Sequence, residues 1–342
     1  MKKFKGIRLL IFAGVLIFLL PGFSSRPTAA FEHNKKSKTE KIIGADISFL
    51  PQLEAEGIQF KKDGVQQDAI LILKQHGFNY ARLRIFVNPE ADSGYSKKGY
   101  CGLAQTMQMA KRIKTAEMKW LLDFHYSDTW ADPGKQFKPE AWKNMPVPTL
   151  AQTVHDYTKE VMIALQQQGT LPDMVQIGNE INKGMLWPEG SFSEPDNLAL
   201  FIKAGINGVK EVAPATPIML HIALGGQNGE SREWLDAMIA RGVEFDIIGE
   251  SYYPQWHGTL AELQHNLTDL SLRYKQDVVV AEYTQHKQAV NDYAFNLPKG
   301  NVKGTFIWEP LNTWEFIFDK QGNSIDSLLN IYPALAKKYD VK

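Results

Sequence analysis

Two glutamates stand at the ends of apolar runs in this chain: Glu180 closes DMVQIGNE (173–180), and Glu282 lies next to last in DVVVAEY (277–283). A carboxylate near the end of a buried strand is costly unless it is paired or put to use. Either Glu alone has a plainer reading, as a solvated loop residue or an ion-pair partner, but the pair weakens it. Two carboxylates flanking a cavity are what cleavage of a glycosidic bond needs. One protonates the leaving oxygen, and the other attacks the anomeric carbon or activates water. Asn179 sets an amide beside Glu180, where it would hold a sugar hydroxyl.

Other polar and aromatic residues end similar runs. In YARLRIF, Arg82 and Arg84 are two apart and share a face, while Ala81, Leu83 and Ile85 point the other way. An inward arginine keeps a neighbouring carboxylate ionised, and Arg84, nearer the end of its run, is the stronger candidate. Asp46, His125, Asp128 and His221 are further polar candidates for contact with the substrate. Trp130, Trp187, Trp256 and Trp308 are candidate platforms for sugar rings, with Trp308 the expected floor where cleavage occurs. Tyr252 and Tyr253 sit beside the run that carries Glu282, and either hydroxyl would reach it. His125 and His221 have no third ligand at metal spacing, so no catalytic metal or other cofactor is expected.

These residues converge only if the elements bring them together. Eight apolar runs (42–49, 80–86, 119–127, 173–180, 217–224, 246–253, 277–283 and 304–310) alternate with stretches whose apolar residues recur at three and four. Strand and helix in alternation imply a parallel sheet with right-handed crossovers. Eight such units imply closure into an α/β (β/α)8 TIM barrel of a single domain. The alternative, an open doubly wound sheet, usually carries a glycine-rich phosphate loop after its first strand, and GADISFLPQ has none. In a barrel the C-terminal strand ends share one mouth, which is where the candidates above lie.

The 342 residues carry 38 Lys plus Arg against 38 Asp plus Glu, so no basic field exists to gather nucleic acid or an anionic membrane. The start of the chain, with a basic cluster, an apolar run from Leu9 to Leu20 and small residues at Thr28-Ala29-Ala30, has the layout of a secretory signal peptide. The expected organisation is a signal over 1–30, a polar extension over 31–41 and a catalytic domain over 42–342. It predicts a secreted or periplasmic monomer with no stable membrane association after signal cleavage. One cysteine, Cys101, permits no internal disulfide, so an exported chain depends on its hydrophobic core.

The segments ARLRIFVNP, LLDFHYSDTWADPGKQFKPEAW, VQIGNEINKGMLWPEG, HIALGG, DIIGESYYPQWHGTL and FIWEP together resemble glycoside hydrolase family 53, the arabinogalactan endo-β-1,4-galactanases. The resemblance runs from about Gly44 to Tyr339 and is most specific in DFHYSDTWADP and QIGNEI. It implies the same barrel, a retaining double displacement with Glu180 as acid/base and Glu282 as nucleophile, and β-1,4-galactan side chains of pectin as substrate. The chain departs from the family pattern in three places. Phe86 stands where Trp is common, and Glu250 where an apolar residue is usual. The stretch after Glu282 is also short, which leaves a structural calcium site of the bacterial relatives unsupported. Two rival readings remain: the same barrel and mechanism on another β-linked polysaccharide, and a barrel that binds glycan without cutting it. The paired carboxylates argue against the second.

Overall fold

A computed structural model describes residues 39–311 and 316–342; the expected signal peptide and nearly all of the polar extension lie outside the described residues. The eight expected strands form as β1 (Glu40–Asp46), β2 (Tyr80–Ile85), β3 (Lys119–Phe124) and β4 (Met174–Ile177), then β5 (Ile218–Ile222), β6 (Ile247–Tyr252), β7 (Asp277–Tyr283) and β8 (Val302–Ile307). They pair in parallel in chain order, and β8 returns to β1, closing the barrel. Closure is tight. Gly304 on β8 has φ +156, and a Cβ there would stand 2.1 Å from the carbonyl oxygen of Ile42 on β1, so only glycine fits.

Strand alternation sorts the side chains into two cores. Inward residues Ile42, Tyr80, Leu121, Met174, Met219, Ile247, Val279 and Phe306 fill the lower barrel, while their outward neighbours pack beneath the surrounding helices. Above that apolar plug the inward positions turn polar: Asp46, Arg82, Arg84, Asp123, Gln176, His221 and Ser251 are all buried.

Strand β7 breaks the alternation. Val278 and Val280 belong to the outer core and Val279 and Ala281 to the inner one, so strict alternation would turn Glu282 toward the helices. Both neighbours show an extra residue here. Glu250 and Ser251 of β6 stand opposite Val280 and Glu282, and Thr305 and Ile307 of β8 stand opposite Val280 and Tyr283. The resulting bulge brings Glu282 round to the barrel interior. Glu250, on the outer face of β6, accepts hydrogen bonds from Ser231, Asn266 and the Leu224 amide, and burial pushes its carboxyl up to about 8. It ties β6 to its covering helices.

Candidate active site

Glu180 lies beyond its strand. The run expected to continue to residue 180 leaves the sheet after Ile177, and Gly178 and Glu180 both adopt left-handed backbone, with φ of +79 and +50. That turn lifts the Glu180 carboxyl into the mouth. There Ser251 Oγ donates to its Oε1 at 2.7 Å, and His221 Nε2 stands 2.8 Å from the same Oγ. Burial, reinforced by the negative charge of Glu282, pushes the Glu180 carboxyl up to about 8.

Glu282 sits in a more favourable field. Tyr253 donates its phenolic hydrogen to Oε2 at 2.9 Å, and Arg82 Nη1 lies 2.8 Å from Oε1. Burial raises this carboxyl too, and the charges of Asp46 and Asp123 add to it, while Arg82 and Tyr253 pull it back. The direct contact with Arg82 makes Glu282 the better seat for the negative charge of the pair and Glu180 the better seat for the proton. Arg82 has five N–H groups and all five are engaged: Nε with Gln176, Nη1 with Asp46 and Glu282, Nη2 with Asp123 and Asn179. Asp46 receives two further bonds from Ser48, and although burial would raise its carboxyl, Arg82 and Arg84 hold it below the usual carboxylate range.

A cleft of about 520 Å³ opens over these groups, lined by both glutamates, by Asp46, Arg82, Arg84 and His125, and by Trp130, Tyr253, Trp256 and Trp308. Trp130 and Trp308 meet at 6.3 Å between ring centres on one wall, and Trp256, 58% exposed, leans against Tyr253 on the other. Between Tyr252 and Tyr253, it is Tyr253 that reaches Glu282; Tyr252 points outward and donates to the carbonyl of Gly258.

Several candidates occupy other places than a sugar contact requires. Arg84, the favoured partner for a catalytic carboxylate, pairs with Glu309 and lies 4.2 Å above the Trp130 ring and 4.5 Å above that of Phe49; it is the deeper Arg82 that contacts Glu282. Asn179 and His221 lie beneath the carboxylates. Asn179 accepts from Arg82 and donates to the Ala131 carbonyl, and His221 is fully buried between Ser251 and the Asn179–Gln176 pair. His125 reaches the cleft, but its Nδ1 accepts from the Ala131 amide, leaving Nε2 to donate to Asp123. Asp128 is buried away from the cleft and accepts from the amides of Asn88 and Glu140, fixing the loops around it. Trp187 lines a separate surface groove with Phe137 and Thr129, its indole donating to the Lys183 carbonyl.

Ser251, Gln176, Asp132 and Gln227 also belong to the site or its support. Ser251 was within reach of sequence reasoning, since alternation through Ile247 and Gly249 turns it inward. Gln176 is legible in the same way from Met174. Gln227 and Asp132 sit on loops, where no periodicity marks them. Among the described residues no cluster of three or more His, Cys, Asp or Glu is arranged to hold a metal ion.

The model of glycosyl hydrolase family 53 matches residues 42–330, nearly all of the barrel. The chain belongs to that family. A protein of Niallia circulans described by its position in the bgaB 5′ region is 44% identical over 250 residues, which is 70% of this chain and 66% of that relative. Arabinogalactan endo-beta-1,4-galactanase A of Emericella nidulans is 37% identical over 262 residues, covering 74% of this chain and 73% of the relative. Among solved structures, the family 53 catalytic domain of Ignisphaera aggregans superposes with a TM-score of 0.79 at 31% identity, across 85% of this chain and 95% of that one.

The uneven charges of the two carboxylates in this family 53 barrel have a kinetic consequence. On the expected assignment of Glu180 as the acid, proton donation requires it protonated, and that form is lost as pH rises through about 8. The rate on a substrate with a poor leaving group is therefore expected to fall above about pH 8. A substrate with an activated aryl leaving group should lose far less in bond cleavage. Parallel profiles of kcat/KM for the two substrates would contradict this division of labour.

Proposed function

We propose that this chain is an endo-acting, retaining β-1,4-galactanase that cuts the galactan side chains of pectic polysaccharide, with Glu180 as acid/base and Glu282 as nucleophile. The observation that carries the reading is the opposite settings of the two buried glutamates. Arg82 makes its ion pair with only one of the two: with Tyr253 it stabilises negative charge on Glu282, while at Glu180 burial and a neighbouring anion outweigh the weaker pull of the same arginine and favour the proton.

In the first step Glu282 attacks the anomeric carbon as Glu180 gives its proton to the leaving oxygen, so a glycosyl-enzyme ester forms and the shortened chain departs. Glu180, now a carboxylate, takes a proton from water as that water attacks the same carbon, and Glu282 leaves as a carboxylate. Two inversions give net retention. Trp308 and Trp130 offer apolar faces to the ring held over the carboxylates, and Trp256 extends the contact along the chain. The work of the pair requires no cofactor, and we propose none. We further propose that the protein acts as a secreted monomer. Among the described residues no helix is long and apolar enough to cross a membrane.

Incubation of the purified protein with galactan, arabinogalactan, mannan and cellulose tests the substrate. New reducing ends should appear with the first two. Cleavage of mannan or cellulose alone would assign the same site another polymer, and binding without cleavage would leave a glycan-binding barrel.

A further inference from the structure

Ser251 stands next to the acid/base in a way that its substrate-facing neighbours do not. Its hydroxyl meets the Glu180 carboxyl at 2.7 Å and His221 Nε2 at 2.8 Å, and both Ser251 and His221 are fully buried. Neither side chain lines the cleft, so neither is placed to hold sugar.

We propose that Ser251, backed by His221, is a positioning residue that serves Glu180 in both of its protonation states; this rests on the assignment of Glu180 as acid/base. A serine hydroxyl donates one hydrogen bond and accepts others. Ser251 donates to Oε1, so when Glu180 is protonated the proton sits on the other oxygen, Oε2, aimed at the leaving oxygen. When Glu180 is a carboxylate, Ser251 donates to the same Oε1 and leaves Oε2 to take a proton from water. No proton crosses the chain; the catalytic proton moves only between Glu180 and the sugar or water oxygen.

His221 keeps the Ser251 hydrogen on Glu180. Burial, with Arg82 adding to it, holds its pKa well below the ordinary histidine value, so the ring is neutral and carries one N–H. With that hydrogen on Nε2, the ring donates to Ser251 Oγ while Nδ1 accepts from Gln176 at 3.1 Å. Ser251 then has its own hydrogen left for Glu180 Oε1.

The test is the alkaline limb of kcat/KM on whichever polysaccharide the wild type cleaves. The groups that set this limb come from every wall of the site: the charged Glu282 from β7, Arg82 from β2, Asp123 from β3 and Asp132 from the loop after it, and Asp46 from β1, with the neutral Tyr253 from the end of β6 and His221 from β5. Ser251→Ala removes a donor that favours the Glu180 carboxylate, so the limb should move up by about one pH unit. The rate on polysaccharide should fall roughly 10-fold with KM little changed. His221→Gln should cause a smaller shift in wild type and none in the Ser251→Ala background, because its effect passes through Ser251. Thermal unfolding of each variant separates these effects from loss of fold. A folded Ser251→Ala enzyme with an unmoved limb overturns the inference, as does a His221 effect that persists without Ser251. If the wild type cleaves no glycan at all, it is the proposed function that fails.

Discussion

Glu282→Gln is expected to be inactive on every substrate, polymer or aryl glycoside, with a loss on the order of 10⁴-fold or more. The amide cannot attack the anomeric carbon. Asp46, which shares Arg82 Nη1 with Glu282, is already held by Ser48 and does not take its place. Glu180→Gln should differ in kind. On galactan it too should be inactive, because the leaving oxygen of a sugar is a poor leaving group without a proton. On a galactoside with an activated aryl group the first step should survive, since that group leaves unaided, and glycosyl-enzyme should then accumulate because no base activates water. Added azide needs no base. It should restore turnover of Glu180→Gln and yield a β-galactosyl azide, having attacked the face opposite the Glu282 ester. An α-configured azide, or azide rescue of Glu282→Gln instead, would exchange or abolish these roles.

Arg82 should give the largest effect away from the glutamates. Its guanidinium lies 2.8 Å from each of three buried carboxylates, those of Asp46, Asp123 and Glu282. Arg82→Leu leaves them facing one another at the buried floor of the cleft. Breaking a buried ion pair by removing one partner costs about 3–5 kcal/mol, and here several partners lose a counterion at once. The midpoint of chemical unfolding should fall accordingly. Removing the positive charge also disfavours ionised Glu282, so the acidic limb of kcat/KM should move to higher pH in whatever enzyme stays folded. Arg82→Lys keeps the charge but has fewer donors than the five bonds made here. It should hold the acidic limb near its wild-type position and lose rate by misplacing Glu282. An Arg82→Leu protein as stable as wild type would show that the carboxylates simply take up protons, and the polar layer would then have no electrostatic keystone.

Much of this was written along the chain. Strand–helix alternation required a parallel sheet, because a short apolar run followed by an amphipathic helix buries both apolar faces that way, and eight such units without a glycine-rich phosphate loop pointed to its closure into a barrel. Period two placed Asp46, Arg82, Arg84, Asp123 and His221 on inward faces, because successive side chains on a strand must point to opposite sides of the sheet. The motif around Asn179-Glu180 and the glutamate of DVVVAEY marked the two glutamates that the structure brings to one cleft.

Tertiary structure decided what those inward residues do. Arg82 and Arg84 share a face by pattern, and position in the run favoured Arg84, but the two-residue difference in depth puts Arg82 against Glu282 and Arg84 against Glu309. Asn179 and His221 have the chemistry of sugar ligands, yet partners 30 or more residues away in sequence absorb their hydrogen bonds below the cleft. Alternation alone would even have turned Glu282 outward. The bulge that rotates it into the mouth shows only in the pairing of β7 with β6 and β8, since an extra residue has no signature until the strands beside it count one fewer. The chain determines which groups reach the barrel's interior; hydrogen bonds between strands remote in sequence determine which of them remain free to touch a substrate.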